Sequence, residues 1–446
     1  MSDLYLILLV IGIAATLLRV AGDSARIFEY PYFMSAVFAV FILPQAFSLA
    51  RFPGRVSDGA VDDALLMTCL CFAASVIGYS IAPSMKLVRL VVRPVLPARM
   101  LHIGAFFILC GYFFGYQLTQ VEVEYNDQRG GMTGTGTLYL FFASLKLPGL
   151  AIVFSLLLRE FTLPRLLWTF LGILIPLVEV FLAGRREAAA ALGLVGFLSL
   201  YFNRRIKPPV LLVYGALSLA MLAIPATGIY RELAYQGRMV EIRKLDLIKN
   251  FKDYFGKESI LELRNAAAVI ESTQRFGNYD FGAGYWNQMV FRFVPAQLVG
   301  KQFKDSLLIG YTVEDMFKAE RGTAHEFMTG STQTGMGDSF KQFGWFGCLF
   351  FALVALIFRS FWLAAIHPHA MFAQLVYLLI CTSAMRAVTH QTVDFLPGFT
   401  YQFIFLWLGL LYAQDRGPRF TSAGRASPGK MAGTGNGPPL QLPSSQ

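Results

Sequence analysis

The chain has 446 residues, of which 55% are hydrophobic, 15% aromatic and only 15% charged, with a formal net charge of +10. Soluble domains carry roughly 25% charged residues, so the composition excludes an ordinary soluble enzyme and makes lipid the main solvent. The positive charge is scattered over short stretches between apolar runs, which fits membrane topology and not a nucleic-acid partner.

A spanning helix needs about 20 apolar residues, because each backbone N–H and C=O must be satisfied inside hydrocarbon. Roughly eleven such runs follow one another, near residues 3 to 21, 31 to 50, 64 to 82, 101 to 119, 137 to 158, 166 to 184, 188 to 203, 209 to 228, 345 to 366, 371 to 389 and 397 to 414. The first lacks a basic start and is followed at once by another span, so it reads as a retained helix and not a signal peptide. All five cysteines, Cys69, Cys71, Cys110, Cys348 and Cys381, fall inside spans, which points to core packing and away from a disulfide framework or a thiolate metal site.

Alternate loops differ in basic content. One set holds Arg26, then Lys86, Arg89, Arg93 and Arg99, then Arg159 and Arg165, then Arg204, Arg205 and Lys207, and finally the tail. The opposite short loops hold only Arg51, Arg55, Arg129, Arg185 and Arg186. Lys and Arg favour the cytoplasmic side, so the N-terminus is expected outside, the C-terminus in the cytoplasm and the long stretch before the ninth span outside. The expected organisation is an N-terminal bundle over 1–228 with about eight spans, a large outer loop over 229–344, three further spans over 345–414 and a cytoplasmic tail over 415–446. The loop mixes apolar and charged residues at helical intervals and is expected to be partly helical, packed on the membrane face. The tail is rich in Gly, Pro and Ser and is expected to be disordered. The fold class is therefore an all-α polytopic membrane protein.

Several residues stand out chemically. Between the sixth and seventh spans the outer turn reads Gly184, Arg185, Arg186, Glu187; arginine's planar fork suits phosphate oxygens, and arginines outside run against the positive-inside bias. Anchoring of helix ends at the headgroups is the plain alternative. The loop before the fifth span, Tyr125 to Gly131, adds Arg129 and glycines that let a backbone approach a ligand or simply turn. Arg386, His390 and Asp394 are spaced i, i+4 and i+8 and share one helix face if the helix runs that far, making His390 a candidate general base oriented by Asp394, with Arg386 an anion ligand. An interfacial polar ladder explains the same spacing. Lys146 and Glu179 are candidates for a pair inside the membrane, either fixing helix register or binding substrate. The stretch Thr323 to Asp338 is small, polar and glycine-rich, and offers His325, Glu326 and Asp338 as proton acceptors in a sugar site, or is a flexible loop. No zinc spacing, nucleotide-binding glycine fingerprint or serine-nucleophile elbow occurs at a usable place, so neither metal nor cofactor is expected.

Tyr125 to Gly131, Gly184 to Arg186 and Thr332 to Gly347 together resemble the Wzy-type O-antigen polymerases, bacterial inner-membrane enzymes that join lipid-linked oligosaccharide repeat units. The last of these is similar to the family's pattern of glycine, an acidic residue, aromatics and further glycines leading into a late span. The likeness covers the membrane region and not the tail. It implies metal-independent glycosyl transfer in the periplasm, in which the growing chain leaves undecaprenyl pyrophosphate for a hydroxyl on the next lipid-linked unit. The departing pyrophosphate would fall to Arg129, Arg185, Arg186 and Arg386, and the base to His325, Glu326, Asp338 or His390. A flippase and a chain-length regulator are the partners the resemblance implies. In the related O-antigen ligases a histidine precedes a polar amide or serine, whereas here His325 precedes Glu326, which favours polymerase over ligase. A transporter of lipid-linked sugars and a structural subunit of an export complex remain alternatives.

Overall fold

The computed structural model describes residues 1–122, 124–125, 132–181, 185–235, 246–255, 262–309, 332–367 and 370–414. Arg129, His325, Glu326 and the tail beyond 414 lie outside the described residues.

The architecture is helical: α1 (Ser2–Gly22), α2 (Tyr30–Val37), α3 (Leu43–Arg51), α4 (Asp58–Ser80), α5 (Met85–Val91), α6 (Pro97–Thr119), α7 (Thr135–Ala143), α8 (Lys146–Arg159), α9 (Leu163–Phe181), α10 (Arg186–Arg204) and α11 (Val210–Tyr235) form the first part. Then come α12 (Leu247–Phe255), α13 (Glu262–Phe276), α14 (Ala283–Phe293), α15 (Ala296–Val299), α16 (Lys301–Ser306), α17 (Thr334–Phe343), α18 (Leu349–Ala365), α19 (Met371–Thr389) and α20 (Phe395–Ala413). The one sheet among the described residues is a two-residue pairing, Glu124–Tyr125 against Met132–Thr133.

Nine helical stretches among the described residues are long and apolar enough to cross a membrane: Ser2–Gly22, Tyr30–Arg51, Asp58–Ser80, Pro97–Thr119, Thr135–Arg159, Leu163–Phe181, Thr334–Ala365, Met371–Thr389 and Thr392–Ala413. Helices α10 and α11 stand where the seventh and eighth apolar runs were expected. α10 falls short because it begins with Arg186 and Glu187 and continues as an alanine and glycine stretch, and α11 runs over Val210–Tyr235 with an apolar helix described over Val210–Ala226.

Proline breaks two spans. A π-helical turn over Phe38–Ile42 separates α2 from α3, whose first turn holds Pro44, and the break between α7 and α8 comes just before Pro148. Proline has no N–H for the residue four before it and its ring clashes with that carbonyl, so the ladder slips or stops there.

Small residues set the helix spacing. A Cβ on Gly78 of α4 would lie 2.5 Å from Ala352 Cα of α18, and one on Gly111 of α6 would lie 2.7 Å from the Lys146 backbone nitrogen. Backbones that meet this closely exclude any side chain, the packing mode that lipid-embedded helices favour.

Residues 1–414 pack as one unit, and parts of the expected outer loop lie deep within it. Leu263, Ala266, Ala267 and Ile270 of α13 are fully buried. α17 is a helix, where the sequence suggested a sugar-lining or flexible run. Its glycines serve close contact: a Cβ on Gly335 would sit 1.9 Å from the Ala387 carbonyl oxygen, and one on Gly337 would lie 2.8 Å from Ala266 Cα. All five cysteines are free thiols, Cys71 and Cys381 buried in the core.

The basic loops gather at one end of the bundle. There Lys207 pairs with Asp23 at 3.0 Å, Arg205 donates to the Ile366 carbonyl at 2.6 Å, Arg159 donates to Gln374 at 2.8 Å and Arg93 to Gln414 at 3.3 Å. The opposite end collects the other set: the terminal amine lies 3.7 Å from Asp62, Gln274 donates to Asp63 at 2.9 Å, and Arg264 donates to the Phe52 carbonyl. This second end carries the candidate site.

Candidate functional site

The turn between α19 and α20 is the centre of the site. α19 ends at Thr389, and His390 takes up φ −122°, ψ −82°, outside helical geometry. The helix therefore does not run through the i, i+4, i+8 series. A short 3₁₀ turn over Thr392–Asp394 folds back instead, so Arg386 still reaches Asp394, with Nη2 3.8 Å from Oδ2. Its other terminal nitrogen lies 3.5 Å from Glu187 Oε1, tying the start of α10 to this turn. Arg386 and Glu187 are 43% and 55% exposed, so the pair is wet and serves position more than stability.

Among the described residues no hydrogen bond joins Asp394 to the His390 ring, which the helical spacing suggested: Gln288 Nε2 of α14 donates to Asp394 Oδ1 at 2.9 Å, and Arg386 takes the other oxygen. His390 is oriented by its neighbour, Nδ1 lying 2.8 Å from Thr389 Oγ1. The Thr389 hydroxyl also reaches the Met385 carbonyl at 3.0 Å, and with its proton directed there it accepts from His390. In that tautomer Nδ1 carries the proton and Nε2 the lone pair. Burial, reinforced by the Arg386 charge, pushes the His390 imidazolium below its ordinary range. The ring is thus neutral at physiological pH and Nε2 is basic, the state a proton acceptor needs.

Asp338 of α17 is only 3% exposed. Thr392 donates its hydroxyl to Asp338 Oδ2, the Val393 N–H donates to the same oxygen at 3.0 Å, and Gln333 Nε2 approaches Oδ1 at 3.3 Å. Tyr285 of α14 extends the network, its hydroxyl 2.9 Å from Thr392 Oγ1. The Asp338 carboxylate is therefore the buried joint that holds the turn carrying His390 and Asp394 against α17 and α14.

Arg185 and Arg186 begin α10, both exposed and without an ion pair among the described residues. The charge of Arg186 acts on His390 and also on Glu262 and Tyr254. Glu262, at the start of α13, is missing from the sequence motifs. Burial pushes its carboxyl pKa above the ordinary range, and its Oε2 is buried with no hydrogen-bond partner among the described residues. Lys146 and Glu179 do pair, Nζ to Oε1, each side chain about a quarter exposed at 22% and 24%. The Arg185 N–H donates to the Glu179 carbonyl at 3.1 Å, which links that pair to the same end of the molecule.

No family model, curated protein or solved structure matches this chain. The chemistry of the site must be argued from its own groups. Arg386 and Arg186 act electrostatically on the His390 imidazole at one end of the membrane bundle, Arg185 caps the helix that Arg186 begins, and Glu187, Asp394 and Asp338 hold the surrounding turn. Among the described residues no cluster of His, Cys, Asp and Glu has the makings of a metal site. Such a centre can hold an anionic group and take a proton from a hydroxyl beside it.

Proposed function

We propose that the chain polymerises undecaprenyl-pyrophosphate-linked oligosaccharide repeat units at the periplasmic face of a bacterial inner membrane, as an eleven-span, metal-independent glycosyltransferase. The observation that carries this reading is the neutral His390, its Nε2 lone pair free, beside the Arg386 guanidinium that Glu187 and Asp394 hold in place. In the reaction, a hydroxyl of the acceptor unit attacks the anomeric carbon of the donor chain. The carbon–oxygen bond to pyrophosphate breaks, the new glycosidic bond forms, and His390 Nε2 takes the hydroxyl proton. Undecaprenyl pyrophosphate leaves with its negative charge met by Arg386, Arg185 and Arg186, a charge-matching effect that is often the largest catalytic contribution. Arg129, His325 and Glu326 remain candidates for the same site from the sequence resemblance.

The test is reconstitution in lipid with undecaprenyl-pyrophosphate-linked repeat units, reading product length on a gel. A ladder that disappears in Arg386→Ala and in His390→Gln supports polymerisation. The Lys146–Glu179 pair inside the spans favours a second reading, a transporter of the same lipid-linked sugar. A wild-type protein that moves the lipid across vesicles and makes no ladder establishes that alternative.

A further inference from the structure

Arg292 belongs to none of the sequence motifs, yet it occupies an unusual place. Its guanidinium lies over the rings of Phe141 on α7 and Tyr401 on α20, 5.7 and 5.4 Å from their centroids. The rings are fixed against each other. Tyr401 donates its hydroxyl to the Phe141 carbonyl at 2.7 Å, and the two meet edge to face with centroids 4.8 Å apart. Phe293 closes on Phe141 from α14, 6.0 Å between centroids. Gln288, one turn earlier on α14, is tied to Asp394, so the helix that presents Arg292 is anchored to the catalytic turn.

Depth makes the cradle significant. Phe141 and Tyr401 each lie six residues inside the start of their helices at Thr135 and Phe395, which at about 1.5 Å per residue sets them roughly 9 Å below the helix ends. A cation at that level of a bilayer calls for a counter-charge. Among the described residues Arg292 has no ion pair and no hydrogen bond, and Asp394, the acid that acts on it electrostatically, is already shared by Arg386 and Gln288. Arg386 and Asp394 both act on Arg292 electrostatically, so the cradle borders the site already described. A guanidinium held over aromatic rings and given no carboxylate keeps N–H donors for an anion, and their fork matches phosphate oxygens.

We propose that Arg292, backed by Arg386, forms a phosphate-binding subsite between α7 and α20 that receives the phosphate head of a polyprenyl lipid from within the membrane plane. That the phosphate belongs to a sugar donor rests on the polymerase reading; the anion subsite does not. The aromatic walls suit the first isoprene units, and the guanidinium suits the phosphate ester they carry.

The experiment uses the full chain in dodecyl maltoside, which contains no phosphate. Phenylglyoxal modifies accessible arginines, and mass spectrometry reads the extent at Arg292 with Arg55 as internal reference. Geranylgeranyl pyrophosphate is expected to suppress modification of Arg292 and leave Arg55 unchanged, while geranylgeraniol protects neither. If inorganic pyrophosphate protects as well as the lipid, the phosphate subsite stands and its ligand is a soluble phosphate. Absence of protection by either pyrophosphate overturns the proposal. For Arg292→Gln, binding of geranylgeranyl pyrophosphate should weaken roughly ten- to hundred-fold, the loss of charge-assisted hydrogen bonds, with Arg292→Lys intermediate because it keeps the charge and loses the fork. Unchanged binding in Arg292→Gln also overturns it. If Arg292 binds the lipid and wild type makes no ladder, the polymerase reading falls and the subsite remains; a ladder unaffected by Arg292→Gln has the reverse meaning.

Discussion

Replacing Asp338 by alanine removes the carboxylate on which the α19–α20 turn is hung. Three donors converge on it: the Thr392 hydroxyl, the Val393 N–H and the Gln333 amide. Hydrogen bonds to a charged group are worth about 1.5–3 kcal/mol each, and a buried donor left without a partner costs about 1–3 kcal/mol. Thr392 can turn its proton to Tyr285, and Gln333 sits at the margin of bonding distance, so Val393 N–H is the donor left stranded. The expected loss for Asp338→Ala is about 2–5 kcal/mol, most of it from that N–H and the emptied carboxylate site. Asp338→Asn keeps one acceptor oxygen and should lose about 1–2 kcal/mol. A thiol-reactive fluorophore measures this on the protein's own cysteines. Cys71 Sγ lies 4.0 Å from Ser339 Oγ, beside the replaced residue, and Cys381 is buried in α19. Earlier labelling of Cys71 on heating is expected in Asp338→Ala. An unfolding midpoint and a Cys71 labelling rate equal to those of wild type would refute the reasoning. In the ladder assay Asp338→Asn should retain product, since a positioning carboxylate needs its acceptor atom more than its basicity; complete loss with an intact fold would make Asp338 the proton acceptor instead.

Four other outcomes follow from the same geometry. Burial lowers the His390 pKa below its ordinary 6.5, so the folded protein binds that proton less readily than the unfolded chain: this contribution to stability is complete above 6.5 and is lost as pH falls from there through the lower folded value. The polymerisation rate should fall on the acid side with an inflection below 6.5, and His390→Gln should abolish the rate and the inflection together. Gly335→Ala puts a Cβ 1.9 Å from the Ala387 carbonyl oxygen and should destabilise strongly by thermal unfolding, whereas Gly193→Ala meets nothing within 4 Å and should be neutral or gain up to about 1 kcal/mol in helix propensity. Glu179→Ala should leave Lys146 as a lone charge in the membrane, a cost of roughly 2.5–3.5 kcal/mol on insertion scales; the double change with Lys146→Met should recover much of it, and no recovery would show the pair to be incidental. Glu187→Gln should change stability by less than about 1 kcal/mol, because the Arg386 pair is half exposed.

What the sequence revealed follows from what hydropathy can sense. Long apolar runs marked α1, α4, α6, α9, α19 and α20, and alternating basic loops separated the two ends. The Lys146–Glu179 pair was also legible, because a charge inside an apolar run demands a partner. Hydropathy did not reveal α13, which is buried through alanines and short polar residues such as Ser272 and Thr273, and so resembles a solvated helix in composition. The glycines of the 335–347 stretch were ambiguous for a related reason: glycine serves a flexible loop and the tightest backbone contact equally well, and only the neighbouring Ala387 and Ser339 carbonyls decide. Arg386, His390 and Asp394 were found by helical spacing, although a turn brings Arg386 to Asp394 and Thr389 orients the histidine. Arg292 left no local signal at all, since its aromatic partners are far away in the chain on either side.

The glycine seam between α4 and α18 bears on how the protein is made. Its two halves, at Gly78 and Ala352, are synthesised far apart in time, and the seam closes only after α18 has entered the bilayer. Until then the narrow face of α4 is open to lipid, which cannot fill it as well as a second backbone does. A nascent chain stopped before α18 would therefore present an unmatched helix face in the membrane, where non-native neighbours compete for it. Substitutions at Gly78 should show themselves in the yield of inserted protein before they show themselves in its activity.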